Sequence, residues 1–227
     1  MHLQAMLLDR GWCFFQGLFA TTTAIEDQVI HLAKQLGTPR GTRISSTRQT
    51  DTLNVLTQKQ AIRNSQSSRF GTGYFPYHTD AAHWASPGRY VIMACRNTTS
   101  TRATCLIPAT PIISQIGSRN LQTSIFKTIN GQRSFYASPL SSDSAIFRFD
   151  TACMKPLDEA SHSVQNAIIS YAQETTPVRI HWGTGDVLIF DNWRMMHARE
   201  QGLGIHEHRE IIRTHITVEN MGTVPNT

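Results

Sequence analysis

Apolar residues recur along the chain in two periods, and each period predicts a different element. Ile25, Val29, Leu32 and Leu36 fall at helical spacing behind the cap candidates Thr21 to Thr23, and Gly37 stands where such a helix stops. A second helix is predicted from about Ser161, with Val164, Ala167, Ile168, Tyr171 and Ala172 on one face and Pro177 just past its end. Other ordered stretches are short and rich in β-formers. Arg89–Cys95 follows a Pro-Gly turn, Val178–Trp182 ends at Gly183, and Val187–Phe190 follows a Gly-Asp turn. The last strand, Glu210–Val218, sets Ile212, Thr214, Ile216 and Val218 against Ile211, Arg213, His215 and Thr217 on the opposite face. Several short strands with few helices favour a barrel or sandwich over a parallel α/β sheet. Between Gln58 and Tyr77 the pattern dissolves into Gln, Arg, Asn, Ser and Gly, which predicts a mobile loop.

The chain has 227 residues, 40% hydrophobic and 16% charged, with 14 Gly and 9 Pro. That is room for a single domain over 1–227 and excludes a disordered chain, a collagen-like repeat and a coiled coil. No internal repeat or low-complexity linker marks a boundary. No apolar run approaches the roughly 20 residues of a membrane span. The apolar run at the N-terminus has no basic region ahead of it, so a cytoplasmic protein with no membrane partner is expected. A net charge of +5 permits nucleic-acid binding, but the basic residues are scattered rather than clustered. A site for anionic small molecules also accounts for part of the arginine excess. The cysteines Cys13, Cys95, Cys105 and Cys153 include no Cys-x-x-Cys pair and read as buried free thiols.

Candidate chemistry enters with the histidines, of which there are 10. In Phe75-Pro76-Tyr77-His78-Thr79-Asp80 an imidazole and a carboxylate stand two residues apart. If the segment is extended, the period of two aims both to one side. Met195-Met196-His197-Ala198-Arg199 offers a third ligand far downstream. Two His and one carboxylate on one face, with three positions open, form the facial triad of non-haem Fe(II) oxygenases. A lone His-x-Asp is ordinarily a surface pair; the second half of the pattern makes this one informative. Gly185-Asp186-Val187-Leu188-Ile189-Phe190-Asp191-Asn192 leads into His197, and Arg209 and Arg213 follow four residues apart on one strand face. Ile212 and Ile216 then pack against the opposite layer. Two guanidinium groups inside a barrel are costly without anions, and a dicarboxylate supplies them.

These motifs resemble the taurine dioxygenase / clavaminate synthase-like family of Fe(II)- and 2-oxoglutarate-dependent oxygenases. The carrying segments are His78-Thr79-Asp80, Gly185–Asn192 through His197-Ala198-Arg199, and Arg209-Glu210-Ile211-Ile212-Arg213, with the helix ending in Leu36-Gly37-Thr38-Pro39 as a further likeness. The resemblance implies a mainly β fold with flanking helices, a double-stranded β-helix or jelly roll, with iron at its open mouth. It implies His78, Asp80 and His197 as metal ligands and Arg209 as the anchor of the distal carboxylate of 2-oxoglutarate. Thr104, in Arg102-Ala103-Thr104-Cys105, falls where the family often has a Gly-Gly-x-Thr segment whose threonine shares that carboxylate, although the glycines are absent here. Arg213 matches an arginine near the iron that often meets an acidic group of the substrate. The cofactors implied are Fe(II), 2-oxoglutarate as cosubstrate, and O₂; decarboxylation to succinate accompanies oxidation of a substrate C–H bond. Related halogenases have a small residue in place of the aspartate, so Asp80 argues against halogenation.

The expected substrate is a small acidic or amino-acid-like metabolite of the kind met on natural-product pathways, to be hydroxylated, desaturated or cyclised. Two other readings are a nucleic-acid demethylase of the same chemistry and a jelly-roll binding protein without catalysis. No lid rich in aromatic and basic residues supports the first, and the intact triad with both arginines opposes the second. His83, His181, His206, His208 and His215 lie outside the triad; His215 shares the face of Arg213 and is the best of them for substrate contact. Trp84 and Trp193 read first as wall and core, with Trp84 a further substrate candidate. Asp191-Asn192 reads as a turn supporting the strand before His197. Arg63 and Arg69 are solvated by default, or reach an anionic substrate if their loop closes over the site.

Overall fold

The structure is a computed structural model that describes residues 3–20, 24–42, 47–61, 66–202 and 207–218. Helix α1 (Leu3–Arg10) leads into strand β1 (Trp12–Phe15), and α2 (Ile25–Lys34) into β2 (Thr38–Arg40). Strand β3 (Asp51–Asn54), the short helix α3 (Gln66–Phe70) and β4 (Phe75–His78) follow. After β5 (Tyr90–Thr98) and β6 (Thr104–Pro108) the chain makes an excursion. It holds α4 (Thr110–Ile116), α5 (Ser118–Thr123), β7 (Phe126–Asn130), β8 (Arg133–Ala137), β9 (Met154–Pro156) and α6 (Glu159–Glu174). The last strands are β10 (Val178–Ile180), β11 (Val187–Asp191), β12 (Met195–Arg199) and β13 (Arg209–Thr217).

Besides a small third sheet, β8-β7-β9, within the excursion, the strands form two large antiparallel sheets. The larger runs β1-β11-β5-β13-β2, with β3 also on β13; the smaller runs β10-β6-β12-β4. Between them lies a layer made by Val91, Met93, Leu188, Phe190 and Ile211 from the larger sheet and Leu106, Ile180 and Met195 from the smaller. This is the double-stranded β-helix that the resemblance implies. The alternate residues of the same strands face outward yet are also buried. Ile92, Ala94, Ile189, Ile212 and Ile216 pack under Leu7, Val29 and Ala33 of α1 and α2. Ile107 and Met196, on the outer face of the smaller sheet, pack under α4, α5 and α6 through Ile112, Leu121, Val164 and Ile168. Burial on both faces explains why β5 and β11 read as near-continuous apolar runs rather than alternating ones.

Several boundaries differ from the sequence expectation. The second helix starts at Glu159, because Asp158 is its cap: the Ser161 N–H donates to Asp158 Oδ1 (2.7 Å), and Ser161 Oγ accepts from the Asp158 N–H (3.0 Å). The segment 58–77 is not a plain loop, since α3 and β4 fall inside it. In the excursion only α6 was legible; α4 and α5 are short, and the hairpin of β7 and β8 turns at Gly131, whose φ of +61° suits glycine. Thr21 to Thr23, Arg63 and His206 lie outside the described residues. The cysteines are free, with Cys13, Cys95 and Cys105 buried and Cys153 half-buried. Among the described residues no helix is long and apolar enough to cross a membrane.

Ser161→Ala should lower stability by about 0.5–1.5 kcal/mol, because it removes the acceptor of the N–H groups of Leu157 and Asp158. Thermal and denaturant unfolding measure this. Since α6 lies on the outer face of the smaller sheet, metal affinity at 25 °C should not change with it.

Candidate active site

Pairing of β4 with β12 brings His78 opposite His197, so two residues remote in sequence become cross-strand neighbours with ring centroids 4.1 Å apart. The strand ends at His78, and Asp80 stands in the turn that follows. Its aim therefore comes from anchoring and not from strand alternation. The Thr79 N–H donates to Phe149 O (2.8 Å) and Thr79 Oγ1 accepts from the Phe149 N–H (3.0 Å). The Asp80 N–H donates to Asn192 Oδ1 (2.7 Å), while Asn192 Nδ2 donates to the carbonyls of Asp80 (3.0 Å) and Gly88 (3.1 Å). Ala81 then turns the chain with φ +54°, a conformation that side chains disfavour. Asn192 thus supports Asp80 rather than the strand of His197. Asp191 does make the turn, accepting from the Trp193 N–H (3.1 Å) and Arg89 Nε (3.3 Å).

His78, Asp80 and His197 are all buried, and one ligand atom from each lies within 4.8 Å of the others. Asp80 Oδ1 is 3.8 Å from His78 Nε2 and 3.9 Å from His197 Nε2. Both spans are shorter than two metal–ligand bonds of roughly 2.1 Å each, so a single divalent ion can bridge the set. His78 Nδ1 lies 2.9 Å from Pro76 O, which leaves Nε2 to coordinate. Burial, aided by His78, pushes His197 down to about 3, so its imidazole is neutral as a ligand requires. Burial alone would raise the Asp80 carboxyl, but the Arg213 guanidinium, with His197 and His215, outweighs it and holds the group well below the usual range. Two imidazoles and one carboxylate suit non-haem Fe(II).

The triad opens on a cavity of about 430 Å³. Arg199, Arg209 and Thr104 line it, as do Thr42, Asp51, Asn54, His83 and Asp150. Arg209 donates through Nη1 to Arg102 O (3.1 Å). Burial, with the guanidinium groups of Arg199 and Arg102, pushes Arg209 down to about 10; burial and Arg102 do the same to Arg199. Thr104 Oγ1 accepts from Trp182 Nε1 (2.9 Å), which leaves its hydroxyl proton to donate elsewhere. Arg213 donates through Nη1 to both carboxylate oxygens of Asp80 (2.9 and 3.1 Å) and through Nη2 to Thr42 Oγ1 (2.9 Å), with Asp51 Oδ2 at 3.6 Å. The anion that the sequence argument seeks in a ligand is here the protein's own.

Three of the substrate candidates do not line the cavity. His215 is fully buried behind Asp80, its Nε2 3.5 Å from Asp80 Oδ2, with the Trp84 ring tilted against it at 5.2 Å. Trp84 is buried as well, with Arg40 over its ring at 4.1 Å. Neither lines the cavity, so both stand behind Asp80 instead of facing a substrate. Arg69 is exposed and donates to Ala152 O (2.9 Å), tying α3 to the turn after Asp150. Trp193 is core, and His181 and His208 are exposed. Sequence reasoning missed Asp51, Asn54 and Asp150, which no motif marks. It also left Arg199 without a role, although its distance of two from His197 on a strand signals the same face.

A model of the family described as taurine catabolism dioxygenase TauD, TfdA matches residues 118–215, a span holding His197, Arg209 and Arg213. A comparison with curated protein sequences finds no match. Among solved structures, asparagine oxygenase in complex with Fe(II), 2S,3S-3-hydroxyasparagine and succinate superposes with a TM-score of 0.73 at 16% identity, covering 95% of this chain and 77% of its own. The non-heme iron oxygenase OrfP in complex with Fe and alpha-ketoglutaric acid gives 0.67 at 16%, covering 94% and 77%. OrfP with Fe, succinate and (3S)-hydroxy-L-Arg gives 0.66 at 16%, covering 94% and 79%. These likenesses establish the fold.

Asn192→Ala should weaken Fe(II) or Mn(II) affinity roughly 10–100-fold, the usual consequence of losing a group that orients a ligand. Calorimetric titration of the metal measures it. Wild-type affinity in the variant would mean that Asp80 keeps its aim without the clamp.

Proposed function

We propose that the protein is a non-haem Fe(II)- and 2-oxoglutarate-dependent oxygenase of the TauD/TfdA kind, one domain over 1–227, acting on a small amino-acid-like metabolite. The observation that carries this reading is the buried His78–Asp80–His197 set facing a cavity that Arg209 and Thr104 also line. When bound, iron with O₂ and 2-oxoglutarate supplies the oxidising chemistry: for a hydroxylation, 2-oxoglutarate, O₂ and R–H give succinate, CO₂ and R–OH. The chain's own residues supply placement. Arg209 and the Thr104 hydroxyl hold the distal carboxylate of the cosubstrate through charge-assisted hydrogen bonds. Arg213 keeps Asp80 ionised and aimed.

The substrate class is supported by the wall formed by Thr42, Asp51, Asn54, His83 and Asp150 beside Val55 and Leu56. That mixture of carboxylates, hydroxyl, amide and aliphatic groups suits an ammonium-bearing metabolite. Asparagine oxygenase and OrfP, whose fold this chain shares, are captured with hydroxylated amino acids. Because Arg213 meets Asp80 and Asp51, an acidic side group on the substrate is not required.

Asp80→Ala or His78→Ala should abolish succinate formation with iron and 2-oxoglutarate supplied, while the fold persists by circular dichroism. Full succinate production in Asp80→Ala would remove the triad assignment. Arg209→Ala should raise the 2-oxoglutarate concentration for half-saturation by ~10- to 150-fold, the equivalent of roughly 1.5–3 kcal/mol, and Arg209→Lys should recover part of that. An unchanged half-saturation would place the anchor elsewhere.

A further inference from the structure

We infer that Arg199 is a second guanidinium anchor for the distal carboxylate of 2-oxoglutarate, beside Arg209 and Thr104. This rests on the cosubstrate reading above and adds a residue to it. Arg199 lies two positions beyond His197 on β12, and the register sets Arg199 opposite Thr104 and His197 opposite Leu106. Alternation therefore aims Arg199 into the cavity, on the side of the metal ligand, with the Thr104 side chain as its cross-strand neighbour. Arg199, Thr104 and Arg209 all line that cavity.

The charges around it do not cancel. Arg102, Arg199 and Arg209 gather here, and the carboxylate facing them among the described residues, Glu207, receives Arg102 Nε at 2.7 Å. Glu200, next in sequence to Arg199, turns to the other face: it accepts from the Ala103 N–H (3.0 Å) and pairs with Arg179 Nε (3.1 Å). Arg199 Nη2 donates to the carbonyls of Gly71 (2.6 Å) and Gly73 (3.1 Å), while its Nε is buried and has no acceptor among the described residues. Phe75 holds the guanidinium from one side at 5.8 Å. Two carbonyls explain a strap on the Gly71–Gly73 segment. They do not explain a half-buried guanidinium whose Nε is buried and which meets no anion among the described residues, an arrangement that is costly. A carboxylate offers about four lone-pair sites, enough for both guanidinium forks and the Thr104 hydroxyl.

The test compares two keto acids on anaerobic, Fe(II)-loaded protein by calorimetry: 2-oxoglutarate, and 2-oxopentanoate, which has a methyl group in place of the distal carboxylate. Arg199→Ala should weaken 2-oxoglutarate binding by roughly tenfold or more and leave 2-oxopentanoate within about twofold. Arg199→Lys should lie between. Arg199→Gln, which keeps an N–H for Gly71, repeats the comparison should the alanine variant not fold. Equal losses for both keto acids, or no loss for either, would overturn the inference and reduce Arg199 to the strap. Arg209→Ala is the control that separates the two readings. If it is selective for 2-oxoglutarate while the Arg199 variants are not, only the second anchor fails. If wild-type protein itself does not prefer 2-oxoglutarate over 2-oxopentanoate, the cosubstrate reading fails with it.

Discussion

Asp80 must remain a carboxylate while buried, and the arrangement around it follows from that demand. Burial favours the neutral acid, which would be a poor ligand and would leave two imidazoles facing a proton. Two hydrogen bonds from Arg213 Nη1 and the nearby ring of His215 reverse the preference. Arg213 can do this because β13 is a central strand: β5 on one side and β3 and β2 on the other fix its height and bring Thr42 and Asp51 to its Nη2. The sheet order is thus a condition for the ionisation state of a single oxygen pair.

The same strand shows why the helices matter to the site. Along β13, Ile212 and Ile216 face α1 and α2, while Arg209, Ile211 and Arg213 face the cavity. A slip of one residue in register would exchange the two sets, placing isoleucine beside His78, Asp80 and His197 and guanidinium groups under the helices. The apolar layer formed with Leu7, Val29 and Ala33 penalises that exchange, so the outer core fixes the inner chemistry. Asn192 does the corresponding work at the turn, where no ladder exists to hold Asp80.

Residues set by a period were legible in the sequence, and those set by a turn or a tertiary contact were not. The alternation of Glu210–Val218 placed Ile212 and Ile216 against Arg213 correctly, and the helical spacing of Ile25, Val29 and Leu32 marked α2. His78 and His197 were recognisable as a pair through motif likeness, while their meeting depends on the pairing of β4 with β12. Asp80 was found for a reason that does not hold, since the chain has left the strand before it. His215 shares the strand face of Arg213, yet full burial against Asp80 and Trp84 removes it from the cavity; a period gives the side, not the depth. Asp51 and Asp150 reach the cavity from segments whose sequence carries no motif, and only the fold brings them there.

Charge is divided in this interior. Around His78 and His197 stand the carboxylates of Asp51 and Asp80 against the guanidinium of Arg213, a formal excess of negative charge that a divalent cation would answer. Around Thr104 stand Arg102, Arg199 and Arg209 against Glu207, a formal excess of positive charge that an anion answers. Neither excess is stable in a low-dielectric interior by itself, and each can be relieved by a ligand of opposite sign. One molecule that chelates the cation through one end and presents a carboxylate at its other end satisfies both at once. On the proposed function, the arrangement favours loading of metal and keto acid together, because each makes the field that the other has to enter less unfavourable.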